Sequence, residues 1–101
     1  MTIHDARLRE HYDKTIGFAE SIPLSCPVEE RPVMALLDAY YRFAFTDGEE
    51  SPVARECLQH LLSPELRPAL RGWYRRFGDK MNSSAVEFRD RLSGLAGERF
   101  G

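Results

Sequence analysis

The most apolar stretch of the chain is residues 33–45, with the sequence VMALLDAYYRFAF. Asp38 and Arg42 are its only charged residues. A helix that is apolar around most of its circumference needs neighbours on several sides, because its apolar surface has to leave water. We therefore predict a central helix over residues 28–45, with the other elements packed around it.

The residues before this segment also show the spacing of a helix. Residues 3–21 place apolar side chains at steps of three or four and most charged side chains opposite them, which is typical of an amphipathic helix. We expect Pro23 to end this helix, because the residue before a proline is disfavoured in the helical conformation. Pro27 and Pro32 follow, and Pro27 is suited to begin a single helical turn, since a proline is well tolerated at the first helical position.

Two more helices are predicted after the central one. An acidic turn at residues 46–50 leads to Ser51 and Pro52, a start signal for a third helix over residues 52–62. We then expect a tight turn at residues 64–67 and a fourth helix over residues 68–77, closed by Gly78.

A fifth helix is predicted after a polar linker at residues 79–84. Ser84 stands three residues before Glu87, which is the spacing of a capping box, and Gly97 is available to terminate the helix near Ala96. No segment alternates apolar and polar residues as a strand does. The sequence therefore predicts an all-α fold, a compact single-domain bundle of about five short helices over residues 1–101, with no sheet.

Three runs in the first two thirds of the chain, Ala35–Tyr41, Phe45–Glu49 and Leu61–Leu66, resemble the helical beginning of NTF2-like or SnoaL-like domains. The resemblance covers about a third of the chain and implies a curved sheet after these helices. From Leu70 onward the sequence instead shows two more helical patterns and too little length for that sheet. We therefore carry no function over from the resemblance.

Length and composition exclude several classes of protein. A chain of 101 residues fits one domain, and 43% hydrophobic with 30% charged residues is a globular composition. A net charge of -2 argues against a protein that coats DNA through many phosphate contacts. The first twenty residues include four acidic side chains and no long apolar run, so we expect neither a secretory signal nor a membrane span and predict a cytoplasmic protein.

Candidates for catalysis and metal binding are few. His4 and His11 stand too far apart to share a metal ion, and we expect both on the surface. Cys57 and His60 share one helical face, but a zinc site needs two more ligands, of which Cys26 supplies at most one. Burial on the apolar side of a helix raises a thiol pKa and suppresses its reactivity. We therefore predict no metal, no cofactor and no enzymatic activity, with both cysteines reduced.

The fourth helix carries the most distinctive charge pattern. Residues 1–62 contain six basic and eleven acidic side chains, whereas residues 63–101 contain eight basic and five acidic ones. The fourth helix is basic on one side and apolar on the other. Its basic side is either a solvated face that pairs with nearby acids or a docking face for an acidic protein surface, nucleic acid or anionic lipid. The candidate partner-binding residues on this face are Arg67, Arg71, Arg75, Arg76 and Lys80.

The central helix supplies a second candidate surface. Four short neighbouring helices are expected to leave part of its apolar surface uncovered, so we predict a homodimer at micromolar concentration. Tyr40, Tyr41 and Phe45 are the candidate contacts if the chain binds a different protein instead. The aromatic residues of the second and fourth helices also leave open a pocket for a hydrophobic ligand.

The function predicted from the sequence is binding to another macromolecule, as a regulator, adaptor, inhibitor or small subunit without chemistry of its own. Two alternatives stay open at this point. One is a nucleic-acid-binding regulator that uses the same basic helix, and the other is a helical domain that binds a hydrophobic small molecule or cofactor.

Overall fold

The computed structural model describes residues 1–21, 27–80 and 82–100 of the chain. Over these residues it contains no strand, and the all-α prediction is confirmed. The radius of gyration of the Cα atoms is 12.8 Å, that of a compact domain of this length. The helices are α1 (Ala6–Ser21), α2 (Arg31–Asp47), α3 (Pro52–Leu61), α4 (Arg67–Phe77) and α5 (Ser83–Ala96), with 3₁₀ turns at Val28–Glu30 and Gly78–Lys80.

Helix α2 lies at the centre of the fold. It contacts α1, α3, α4 and the 3₁₀ turn that precedes it. Helix α5 packs against it through Phe88, whose ring stacks on that of Tyr40 with the ring centroids 4.4 Å apart. The side chains that α2 buries are Val33, Ala35, Leu36, Leu37, Ala39 and Tyr40. The central helix is thus buried on several sides, as its composition requires.

A buried carboxylate of α3 holds the N-terminal segment. Glu56 accepts the backbone N–H of His4 at 2.7 Å and that of Asp5 at 2.8 Å. Asp5 in turn caps α1, because its carboxylate accepts the backbone N–H of Arg7 at 2.9 Å. Helix α1 therefore begins at Ala6 and not at residue 3 as predicted, because the backbone N–H groups of His4 and Asp5 are bound by Glu56 of α3.

The ionised form of Glu56 is the one that these contacts favour. Burial raises the pKa of Glu56, but hydrogen bonds from the backbone of His4, from the ring of His60 and from the backbone of Asp5 outweigh it and hold the pKa below the ordinary 4.5. A carboxylate with a depressed pKa stabilises the fold above its ordinary pKa. That contribution is lost as the pH falls through the ordinary value towards the lower one of the folded state.

Glu56→Gln is expected to lower the free energy of unfolding by about 1–3 kcal/mol at neutral pH, because it removes the charge that three donors share. Urea unfolding of both proteins as a function of pH checks this. The difference should shrink below about pH 4.5, where the wild-type carboxylate takes up a proton. Glu10→Gln, at an exposed carboxylate paired with Lys14, is the control and should change stability by less than about 0.5 kcal/mol. A difference independent of pH would contradict the assigned charge.

A second buried carboxylate joins the start of α2 to α4. Glu30 is 3% exposed, and its Oε2 lies 3.2 Å from the Nε of Arg76. Gly72 stands one turn before Arg76, and a Cβ added there would lie 2.9 Å from the same Oε2 atom. The carboxylate thus lies directly against the helix backbone, and a Cβ at position 72 would require the Glu30 carboxylate to shift.

Gly72→Ala is expected to lower the free energy of unfolding by about 1–3 kcal/mol, because the new methyl group displaces the buried Glu30 carboxylate from its ion pair with Arg76. Gly17→Ala is the matched control. It also lies inside a helix, has nothing within 4 Å of the added Cβ, and should raise stability by about 0.5–1 kcal/mol. Urea unfolding at neutral pH distinguishes the two, and an equal gain in both variants would contradict the close approach of Glu30.

Most predicted boundaries hold to within a few residues, and the cap of α5 is corrected. Helix α4 ends at Phe77 with Gly78 as its C-cap, as predicted, and the backbone continues from Gly78, with φ −57° and ψ −38°, into a 3₁₀ turn. Asn82, and not Ser84, caps α5, since its side chain accepts the backbone N–H of Ala85 at 2.9 Å. Gly97 ends α5 with φ 69°, as predicted. The predicted role of Pro23 lies outside the described residues.

Candidate partner-binding surface

Two arginines of the predicted basic face hold a carboxylate of the same chain. The guanidinium of Arg71 donates from two of its nitrogens to Glu98, Nε to Oε1 at 2.6 Å and Nη2 to Oε2 at 2.8 Å. Arg67 places its Nη1 3.6 Å from Oε2 of the same residue. Glu98 follows α5, and this segment is also held by the buried ring of Phe100, which stacks on Tyr74. The C-terminal segment therefore covers part of the basic face.

The other three basic residues are all exposed, but one of them pairs with a buried carboxylate. Arg76 pairs with the buried Glu30 and so contributes to the fold. Arg75 and Lys80 are exposed and form no ion pair with any residue that the structure describes. Ion pairs within the chain thus neutralise much of the basic face, and of its five residues only Arg75 and Lys80 have no ion pair with a described residue.

The solvent-facing side of α2 carries a row of residues at steps of three or four, which we call the α2 stripe. Its members are Met34, Asp38, Tyr41 and Phe45. Phe45 is 92% exposed and Tyr41 41% exposed, although both are aromatic. Tyr40 belongs to the core at 3% exposed, so of the two candidate tyrosines only Tyr41 is placed to contact a partner.

Grooves lie along both sides of the α2 stripe. On the side of α5, a groove of about 490 Å³ is floored by Tyr41, Ala44 and Phe88, with Phe45 at its edge. A groove of about 360 Å³ continues towards α4, where Trp73 and Phe77 pack with their ring centroids 4.5 Å apart. On the side of α1, a groove of about 590 Å³ runs beside Phe18, Met34 and Arg42. The stripe and its grooves form one aromatic surface that spans four helices.

Opposite charges border this surface. Arg42 and Lys14 line the groove on the side of α1, whereas Glu49 and Glu87 line the groove on the side of α5. Lys14 is paired with Glu10 at 3.0 Å, and Glu49 with Arg91 at 2.6 Å. Neither Arg42 nor Glu87 has an ion pair within the described part of the chain.

The residues considered for catalysis are held in structural roles. Cys57 is fully buried, and burial raises the pKa of its thiol to about 12, which suppresses the thiolate. His60 is hydrogen-bonded to Glu56 at 2.9 Å. His4 is exposed as predicted, but His11 is only partly so, because it binds Asp38 at 2.7 Å and its ring meets Phe43 edge-on. Residues 1–21, 27–80 and 82–100 contain no cluster of three or more potential metal ligands, and Cys26 lies outside them.

No protein-family model matches this chain, and neither the curated proteins nor the solved structures contain a significant match to it. None of the helices in the described ranges is both long enough and apolar enough to cross a membrane. Function is therefore inferred from the surface chemistry of the chain itself.

The pairing of Glu98 is open to direct measurement. The hydrogen bond from Arg71 holds the pKa of Glu98 below its ordinary value of 4.5, against a smaller upward effect of burial. Arg71→Gln is expected to raise that pKa towards 4.5, because it removes the charged donor. Arg75→Gln removes an equal charge from the same helix and should leave the pKa of Glu98 almost unchanged. A carbon-13 NMR titration of the side-chain carboxyls checks both, and equal effects of the two variants would contradict the specific pair.

Proposed function

We propose that the protein acts by binding another protein through the α2 stripe, as a regulator, adaptor, inhibitor or small subunit without chemistry of its own. The observation that carries this proposal is the position of Phe45. Its ring is 92% exposed at the edge of an aromatic groove. Large aromatic side chains in or beside such grooves are typical anchors of protein interfaces, because their burial in a complex removes much apolar area from water.

The surroundings of Phe45 match the organisation of an interface. Interfaces combine a core rich in aromatic residues with a charged rim. Here Tyr41, Trp73 and Phe77 extend the aromatic area from Phe45 along α2 and α4. Charged side chains border this area on both sides. The spread of these residues over three adjoining grooves favours a macromolecular partner over a single small ligand.

The basic face of α4 is a less suitable binding site for a partner than the α2 stripe is. Binding of nucleic acid draws on cations that neutralise phosphates. Arg67 and Arg71 already hold Glu98, and Arg76 holds Glu30. Lys80, in contrast, lines the groove beside Trp73 and adds a basic rim to the aromatic surface. We assign Tyr41 and Lys80 to the docking surface, and we place this activity in the cytoplasm, where the free thiol of Cys57 is stable.

Affinity capture from native cells with four tagged proteins tests this proposal. Phe45→Ser should remove the specifically bound proteins, because it deletes the exposed anchor, whereas the reversal Arg75→Glu should retain them. Leu95→Ser is the matched control, since Leu95 is 57% exposed on α5 and lines none of the three grooves. Quantitative mass spectrometry compares the captured proteins with those of the wild type. Unchanged capture by Phe45→Ser, or loss with Arg75→Glu alone, would contradict the proposal.

A further inference from the structure

We infer that the groove between α2 and α5 binds an arginine side chain of the protein partner. This inference rests on the proposed function and names the chemistry that the partner presents to one part of the α2 stripe. It follows from three features of the chain: the net charge of this groove, its aromatic walls, and an arginine that α2 already binds in the same manner on its α1 side.

The groove between α2 and α5 differs in charge from the two grooves beside it. Its charged lining residues are two acids, Glu49 and Glu87, and one base, Arg91, so the groove is net negative. The groove towards α4 contains one acid and one base, Asp38 and Lys80, and is neutral. With its histidine neutral, the groove on the side of α1 has two bases and one acid and is net positive. Of the three grooves, the one beside α5 is therefore the most favourable for a cation.

Glu87 is the acid of this groove that an incoming cation meets. Glu49 and Arg91 compensate each other, since their side chains form an ion pair at 2.6 Å. Glu87 is exposed on α5 and has no ion pair with a residue that the structure describes. A guanidinium that reaches its carboxylate gains charge-assisted hydrogen bonds, which are stronger than those between neutral groups.

Aromatic rings form the walls of the same groove. The ring centroids of Tyr41 and Phe88 lie 5.2 Å apart with an interplanar angle of 61°, so the two walls meet at an angle. Phe45 borders the groove and is 92% exposed. Ring faces attract cations, and a planar guanidinium also stacks on them, whereas an ammonium group is a compact and strongly hydrated charge. Rings together with a carboxylate therefore favour an arginine over a lysine.

The α1 side of α2 shows this mode of binding within the chain itself. The guanidinium of Arg7 lies over the ring of Phe43, with its central carbon 5.5 Å from the ring centroid. Its Nη1 atom is 2.8 Å from a carboxylate oxygen of Asp47. A ring and an acid of α2 thus hold an arginine of α1. On the α5 side, rings and an acid are again close together, and no guanidinium of a described residue lies over those rings, so they are accessible to an arginine of another chain.

Two peptides that differ in charge test the inference. Acetyl-Gly-Arg-Gly-amide carries the arginine, and the same peptide with citrulline replaces the guanidinium by a neutral urea group of nearly the same shape. NMR titration of the nitrogen-15-labelled full-length chain, through the millimolar range, measures both affinities. We expect the arginine peptide to shift the backbone signals of Glu87 and Phe88 and to bind at least about tenfold more tightly than the citrulline peptide.

Two variants test the parts of the site, each with a matched control. Glu87→Gln removes the acid and should weaken binding of the arginine peptide at least about threefold. Glu20→Gln, at an exposed acid of α1 that lines none of the three grooves, should have no effect. Phe45→Leu keeps an apolar side chain without the ring and should weaken binding at least about threefold. Phe18→Leu removes an exposed ring beside the positive groove and should have no effect.

Equal affinities for the arginine and citrulline peptides would overturn the inference, as would an arginine peptide that shifts no signal around Glu87. An affinity that Glu87→Gln or Phe45→Leu leaves unchanged would also overturn it. Far-UV circular dichroism verifies that each variant is folded, which is expected because all the substituted side chains are exposed.

The proposed function fails separately from this inference. If Phe45→Ser still captures every wild-type partner, the stripe is not a docking surface, whatever the peptides bind. Loss of capture by Phe45→Ser together with equal affinities for the two peptides overturns only the assignment of an arginine. Self-association of the purified chain that Glu87→Gln weakens would overturn the assignment to a different protein, because a second copy then occupies the groove.

Discussion

The fold depends on the burial of α2. This helix has 17 residues, and apolar side chains occur on nearly every side of it, so the chain is stable only when other elements surround it. Helices α1, α3, α4 and α5 are shorter and leave one row uncovered, from Met34 to Phe45. The same property that organises the core thus also creates the exposed surface. The proposed function follows from this incomplete cover, since an exposed aromatic row on the central helix is removed from water only by a partner.

Two buried carboxylates hold the shorter elements in place around α2. Glu56 binds the segment before α1 to α3, and Glu30 binds the turn before α2 to α4. Burying a charge is costly unless hydrogen bonds or an opposite charge compensate it. Glu56 has three hydrogen-bonding partners, whereas Glu30 is compensated through Oε2 by Arg76 and its buried Oε1 has no hydrogen-bond partner among the described residues. At the surface, Glu98 engages two arginines of α4. Glu30 and Glu98 therefore form ion pairs with three of the arginines on α4. This favours the aromatic surface over the basic face as the site for a partner.

Local signals were sufficient to predict the helices but not what they contact. Apolar periodicity and a terminating glycine are signals that depend only on neighbouring residues. For this reason the sequence predicted both the central helix and the end of α5 at Gly97. The contacts of Glu56 with His4 and of Arg71 with Glu98 join residues 52 and 27 positions apart, which no spacing rule reveals. Adjacent residues of a helix point in different directions, and for this reason Tyr40 is buried while Tyr41 is exposed. The arginine row was visible in the sequence, but its internal partners were not.

The central claim is that a protein partner covers the α2 stripe, and the exposure of Phe45 reports on it directly. Hydroxyl-radical footprinting measures the rate at which each side chain is oxidised, here for the purified chain alone and for the complex captured from native cells. The account predicts that oxidation of Phe45 is slower in the captured complex, while oxidation of Leu95, which is exposed elsewhere on the surface, is the same in both. A Phe45 ring that is oxidised at the same rate in both would contradict the account.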